Sequence, residues 1–247
     1  MYKKVINRFK KMSLLLLLNP SFYFRLLIYM NSYNSTKLYI NNQKKTDKPN
    51  TIVTWNITNL SIDFIIEKIK ILDADIVHLQ GIYKDKDIII SQLKDIYYNI
   101  VTNDHKQYYM YNDCGLMVLS KYEIYDYHFK PFGYWYSKFY SGSIFYTIDK
   151  YNFCNCNLDN KNDEKIYNRL QMIIKNNPYN DNFIIGGYIN YKDPYSLFSK
   201  RPNNQLYNIT SVNNNYIISL NNLGITNNMY DFGCKENPIM GIIDHII

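Results

Sequence analysis

A chain of 247 residues with only 9 Gly and 7 Pro suits one domain with a sizeable core and is a tight fit for two. Its formal charge of +7 invites a nucleic-acid partner, but residues 1–50 hold ten Lys/Arg against one acidic residue, leaving 18 basic and 20 acidic residues for 51–247. That distribution argues against a basic binding face on the body of the protein, and the bias toward Asn, Ile, Lys and Tyr (27 Tyr), as in an AT-rich genome, makes any single Asn or Tyr weak evidence of a site.

The chain opens with Lys3, Lys4, Arg8, Lys10 and Lys11, followed by Leu14 to Leu18 and a break at Asn19-Pro20. The apolar run is too short to span a bilayer, which needs about 20 apolar residues. Three readings stand side by side. A basic start before a short apolar stretch has the order of a signal peptide, although no clear small-x-small cleavage site follows. It also suits an interfacial segment on an anionic membrane through residues 1–30, with Phe22, Phe24, Leu26 and Leu27 as apolar contacts. A solvated tail is the third. Residues 31–50, rich in Asn, Ser and Lys, read as a linker, so the division expected is 1–50 for the N-terminal segment and linker and 51–247 for the domain.

Thr51 to Ile57 is a β-branched run suited to a strand. Ser61 then offers an N-cap to a helix whose Ile62, Ile65, Ile66, Ile69 and Leu72 fall at helical spacing. A second strand at Asp75 to Leu79 and a second helix at Asp87 to Tyr98 repeat the unit. Gly115 to Ser120, Ser143 to Ile148 and Tyr151 to Leu158 follow as short strands without a long helix between them, which points to antiparallel pairing. A helix returns at Asp163 to Lys175, with Ile166, Leu170, Ile173 and Ile174 as its buried stripe. Phe183 to Ile185 is a short strand expected to turn at Gly186-Gly187. Strand-helix units and β meanders in one chain predict an α/β fold of two mixed sheets flanked by helices.

Cys114, Cys154, Cys156 and Cys234 form no CxxC pair and have no His at zinc-finger spacing. Reduced core thiols are the expectation, which fits a cytosolic protein best. His78, on an apolar strand, reads as a satisfied core or edge residue. The aromatic stretch Phe132-Gly133-Tyr134-Trp135-Tyr136, with Lys138 and Phe139, reads as a loop packed over a sheet edge or as a surface for lipid or stacked bases.

Four stretches resemble the endonuclease/exonuclease/phosphatase (DNase I-like) superfamily. Thr54-Trp55-Asn56-Ile57 is similar to the family's first strand, which ends in Asn. Asp75-Ile76-Val77-His78-Leu79-Gln80-Gly81 is similar to its "aDIv-LQE" strand, and Ile184-Ile185-Gly186-Gly187-Tyr188-Ile189-Asn190 to "ilgGDFN". Ile243-Asp244-His245-Ile246 is similar to "iDyI" or "iDHI". Between them, Cys114 to Lys121 resembles "sGl-ilSr-pI", and Asn155-Cys156-Asn157-Leu158 resembles "nTHL", followed by Arg169-Leu170-Gln171. The last two, with Lys130-Pro131-Phe132, lean toward the neutral sphingomyelinase-like branch. The resemblance implies a four-layer α/β sandwich over about residues 51–247.

It also implies a chemistry. Hydrolysing a phosphodiester takes a divalent cation on the phosphate oxygens, an activated water and a cationic or protonated group near the leaving oxygen. The family supplies the metal ligand from the Glu of "LQE", the water-orienting carboxylate from the Asp of "GDFN", and two His. Here the Glu position is Gly81, the Asp position is Tyr188 and the first His position is Asn157. The second His belongs to an "SDH" motif on a last strand about 25 residues beyond "iDyI". Either that strand is missing and the domain is truncated, or Asp244-His245 is itself the terminal pair. Asn56, Asn190, Asp244 and His245 are thus the retained candidates, and Asp85, Asp87 and Asp113 are the carboxylates available to rebuild a metal site.

The expectation is a degenerate phosphodiesterase-like domain, without a cofactor, kept for binding or structural work. The alternative is an active magnesium-dependent phosphodiesterase acting on a phospholipid headgroup or a nucleic acid. A third reading makes the basic N-terminus a membrane-surface anchor.

Overall fold

The computed structural model describes residues 36–41, 44–103, 114–132, 142–158, 162–175, 183–191, 207–212, 215–220, 224–229 and 238–244. In chain order these form β1 (Thr36–Ile40), β2 (Thr51–Asn56), α1 (Ile62–Leu72), β3 (Ile76–Gln80), α2 (Lys86–Leu93), β4 (Asn99–Asn103), β5 (Met117–Ser120), β6 (Tyr125–Pro131) and β7 (Gly142–Ile148). There follow β8 (Tyr151–Leu158), α3 (Asp163–Lys175), β9 (Phe183–Ile189), β10 (Tyr207–Val212), β11 (Asn215–Leu220), β12 (Gly224–Met229) and β13 (Ile239–Asp244).

The strands make two mixed sheets, ordered β1-β4-β5-β3-β2-β13-β12 and β10-β11-β9-β8-β7-β6. Each holds one parallel pair, β2 with β3 and β8 with β9, and each of those pairs is joined through a helix, α1 or α3, as a parallel connection requires. Three buried clusters separate four layers. Ile52, Ile76, Tyr146, Phe153 and Ile184 fill the space between the sheets. Val53, Trp55, Val77 and Leu79, on the alternate face of the same strands, pack under α1 and α2. Ile185 and Cys154 pack with Ile166, Leu170 and Ile173 of α3. Both faces of the central strands are covered, which is why β2 and β3 are buried almost throughout.

The helix α1 buries Ile65, Ile66, Ile69 and Leu72 as their spacing predicts. Ser61 occupies its N-cap with an extended backbone but makes no side-chain capping bond. Asp73, at φ 44, closes the other end by donating its N–H to the Ile69 carbonyl.

Other elements depart from expectation for tertiary reasons. The second helix stops at Leu93, where Ile96 and Tyr97 both donate backbone N–H groups to the Leu93 carbonyl and the chain turns into β4. The strand read at Phe183 to Ile185 does not turn at Gly186-Gly187; β9 runs through both to Ile189. A Cβ at Gly186 would lie 2.5 Å from the His78 Nδ1, and one at Gly187 would lie 2.2 Å from the Cys156 carbonyl oxygen. These glycines serve close packing, with their strand paired on both sides. Residues 36–50, read as linker, carry β1, an edge strand whose half-exposed face accepts polar residues, and a stretch tied to the sandwich. Residues 1–35, on which the signal, interfacial and tail readings rest, lie outside the described residues, as do Gly133 to Phe139. Among the described residues no helix is long and apolar enough to cross a membrane.

Candidate functional site

One end of the sandwich collects the motif residues, and strand register shows how. In the first sheet Asn56 pairs with Gln80 across the parallel β2/β3 ladder, Leu79 with Met117 across β3/β5, Thr102 with Met117 across β4/β5 and Thr36 with Asn103 across β1/β4. Thr36, Asn103, Gln80 and Asn56 therefore share one end. In the second sheet Gly142 pairs with Asn157, Asn157 with Tyr188 and Tyr188 with Asn215. The two rows meet where the Asn56 N–H donates to the Asn215 Oδ1 at 2.9 Å. Asn190 follows β9 directly at this end.

Gly81, just beyond β3, has φ +84, and a Cβ built on it would lie 2.2 Å from the Thr58 Oγ1 and 2.9 Å from the Asn56 Oδ1. The Thr58 hydroxyl donates to Asn56 Oδ1 at 2.6 Å, and the Thr58 N–H donates to the same oxygen at 3.0 Å. A threonine hydroxyl therefore stands where the stem of a side chain at 81 would begin. The retained Asn56 spends its amide oxygen on that local turn.

Behind this end lies a neutral polar layer. The Gln80 Nε2 donates to the Thr54 Oγ1 at 3.1 Å and to the Asn155 Oδ1 at 2.8 Å. The Asn155 Nδ2 crosses to the carbonyls of Leu79 and Met117 at 3.1 and 2.8 Å. Asn157, 2 % exposed, donates to the Cys114 carbonyl at 3.4 Å. His78 is fully buried between the sheets, with its Nδ1 3.3 Å from the Gly186 carbonyl and its Nε2 2.5 Å from the Tyr146 hydroxyl. Burial pushes the imidazole down to about 3, against a smaller upward pull from the Gly186 carbonyl. It is neutral at physiological pH and serves as a core connector, as its place on β3 suggested.

Asp244 does not join Asn56. The strand β13 runs antiparallel to β2, with Ile239 beside Thr54 and Ile242 beside Thr51, and the Ile243 N–H donates to the Asn50 carbonyl at 2.7 Å. Asp244 thus closes the strand at the opposite end of the sandwich from Asn56, Gly81 and Asn215. His245 lies outside the described residues, as does Asp113. Asp85 and Asp87 are exposed at the start of α2, and Asp85, at φ 61, makes no side-chain cap bond.

No family model matches the sequence, and neither does any curated protein. The coordinates do find relatives of shape. An endonuclease/exonuclease/phosphatase from Bacteroides vulgatus superposes with a TM-score of 0.61 at 11% identity, covering 80% of this chain and 99% of that one. Truncated TDP2 from Caenorhabditis elegans gives 0.55 at 14% identity, with 82% and 99% covered. The human Nocturnin catalytic domain, solved with a bound sulfate anion, gives 0.56 at 12% identity, with 86% and 98% covered.

The chain has the DNase I-like fold of the endonuclease/exonuclease/phosphatase superfamily.

Within that fold the motif resemblance assigns the metal-ligand position to Gly81, the water-orienting carboxylate to Tyr188 and the first His to Asn157, and the register places the last two side by side. Sequence reading missed Asn215. Asn215-Tyr216-Ile217 has the Asp-Tyr-Ile pattern of the superfamily's "iDyI" strand with Asn for Asp, and β13 opens at Ile239, at the interval expected for the last strand. The strand β13 pairs with β2 on the side away from β3. The usable signal was this second match, obscured by the abundance of Asn-Tyr pairs.

Magnesium takes oxygen ligands, carboxylates foremost. At this end position 81 offers no side chain, the Asn56 oxygen is doubly engaged, and the register neighbours are amides and a phenol. Among the described residues no three His, Cys, Asp or Glu come together as a metal cluster. Among the described residues, those at this end do not fit the superfamily's metal site.

Proposed function

We propose that this domain is a phosphodiesterase-like scaffold that does not hydrolyse phosphodiesters and is kept for binding or structural work. One observation carries the reading: the Thr58 hydroxyl fills the space in which a metal ligand at position 81 would start. Loss of that ligand goes with Tyr188 and Asn157 at the other two positions, and groups that act as a unit lose nearly all activity when any one is removed. The scaffold itself is intact, with an apolar layer between the sheets and one on each outer face.

The substrate class of active relatives guides the assay. Among the similar structures, Danio rerio TDP2 was solved with a single-strand DNA product, while the Asn155 to Leu158 and Lys130 to Phe132 motifs lean toward sphingomyelinases. The test is a calorimetric titration of the full chain with magnesium, together with turnover of a chromogenic phosphodiester, single-stranded DNA and sphingomyelin. We expect no saturable magnesium binding and no turnover. Magnesium-dependent turnover of any of the three, lost in Asn190→Ala, would overturn the proposal in favour of an active phosphodiesterase with rearranged ligands.

A further inference from the structure

The charge of this protein is concentrated before its first strand. Lys3, Lys4, Arg8, Lys10, Lys11 and Arg25 are the basic residues of positions 1–35, which contain no Asp or Glu, leaving 22 basic and 21 acidic residues from 36 onward. The same stretch holds Leu14 to Leu18 and the run Phe22, Tyr23, Phe24, Leu26, Leu27, Ile28, Tyr29 and Met30. Cations beside bulky apolar side chains match an anionic lipid surface, where the charges meet the headgroups and the apolar groups leave water. A nucleic acid would use the cations and leave the leucines exposed.

The fold says where this segment is attached. Thr36 opens β1 in register with Asn103, and the Leu116 N–H donates to the Asn103 Oδ1 at 2.9 Å, in the row that continues to Gln80 and Asn56. The segment therefore enters the sandwich at the Asn56 and Gly81 end. Met30 stands six residues before Thr36, a reach of at most about 20 Å even when fully extended. The opposite end, where Lys45 meets Asp75 and Lys121 meets Asp73, is a strand length further away.

We propose that residues 1–35 hold the domain on an anionic membrane surface with its Asn56 end turned toward the lipid. This is independent of whether the domain hydrolyses anything. The full chain is tested by sedimentation with vesicles of phosphatidylcholine, with and without phosphatidylserine. Binding is expected only with phosphatidylserine, falling roughly tenfold or more when salt is raised well above physiological. It should fall similarly when Lys3, Lys4, Arg8, Lys10 and Lys11 are all changed to Gln, with an unchanged circular dichroism spectrum. A second variant, with Phe22, Phe24 and Leu27 changed to Ser, should lose binding even at low salt.

Orientation is read with an environment-sensitive fluorophore on Lys84→Cys, in the exposed loop after β3, or on Lys48→Cys, exposed at the other end. The background is Cys234→Ser, since Cys114, Cys154 and Cys156 are buried. Spin-labelled lipid should quench the probe at 84 and spare that at 48. Absence of vesicle binding, binding indifferent to the five Gln substitutions, or preference for a single-stranded oligonucleotide over vesicles would overturn the membrane proposal. Quenching equal at both positions, or stronger at 48, would overturn the orientation.

Discussion

Among the described residues, the motif side chains at the two ends of the sandwich differ in charge. At the Asn56 end the motif side chains are uncharged: Asn56, Gln80, Asn157, Tyr188 and Asn215, with a threonine hydroxyl over Gly81. At the other end the buried Asp75 accepts from the Lys45 Nζ at 3.0 Å and from the Asn50 and Thr51 N–H groups at 2.8 and 3.3 Å. Nearby the Lys121 Nζ reaches the Asp73 carboxylate and carbonyl at 2.7 and 2.6 Å, and the Tyr122 hydroxyl donates to Asp47 at 3.1 Å. Charge has been kept where it ties the segment before β2 onto the sheet. It is absent from the positions at which the superfamily motifs imply a metal and a water. The difference teaches that retention here follows structural use, because a carboxylate that holds backbone N–H groups cannot be lost without leaving them unpaired.

Four experiments break or sharpen that comparison. The largest effect is expected at the charged end. Replacing Asp75 by Ala leaves two backbone donors and Lys45 without their acceptor, and the full chain should lose about 3 to 4 kcal/mol of stability in urea denaturation, with little change in m. A loss under about 1 kcal/mol would show that the carboxylate is not what fixes residues 44–50.

His78 lies between the two ends and supplies the pH dependence. Its imidazole is held down to about 3 in the folded state against about 6.5 when unfolded, so the unfolded chain binds the extra proton. Its contribution is complete above about pH 6.5 and is lost as pH falls toward 3, by about 3 kcal/mol between pH 6.5 and 4. Denaturation midpoints of the native chain should drop over that window, and those of His78→Gln should drop less. Parallel curves would mean that other groups carry the acid sensitivity.

At the uncharged end, Gly81→Glu restores the motif residue by name only. The left-handed backbone and the Thr58 hydroxyl both oppose a side chain, so the variant should be less stable by about 2 kcal/mol and should gain no magnesium affinity in calorimetry. Gain of affinity from this single change would show that the site needs only its ligand. The smallest effect belongs to the exposed Lys44–Glu123 pair at the charged end. Glu123→Gln should leave the thermal midpoint unchanged, because solvated ion pairs contribute little.

Much of this was legible in the sequence. The apolar spacing of Ile65, Ile66, Ile69 and Leu72 could only be a helix face, and the β-branched runs at 51–57 and 75–79 sit as strands flanking it. The loss of charge at Gly81, Tyr188 and Asn157 was readable because the surrounding apolar motifs fix which position is which. Less visible were β1 and β10 to β12, short runs of five or six residues set among Asn-rich neighbours, whose ends and partners are decided by pairing with strands already in the sheet.

What the sequence determined by itself was therefore local: which segments have a face to bury, and which motif positions lack the side chain that the chemistry requires. The tertiary structure decided the rest, because ladder register and close approach between sheets involve residues far apart in the chain. Register brought Asn215 to Asn56 and carried Asp244 to the far end of β13. Pairing with β8 and β11 made Gly186 a strand residue, where local preference alone read a turn, and the His78 ring across the sheets leaves no room there for a Cβ.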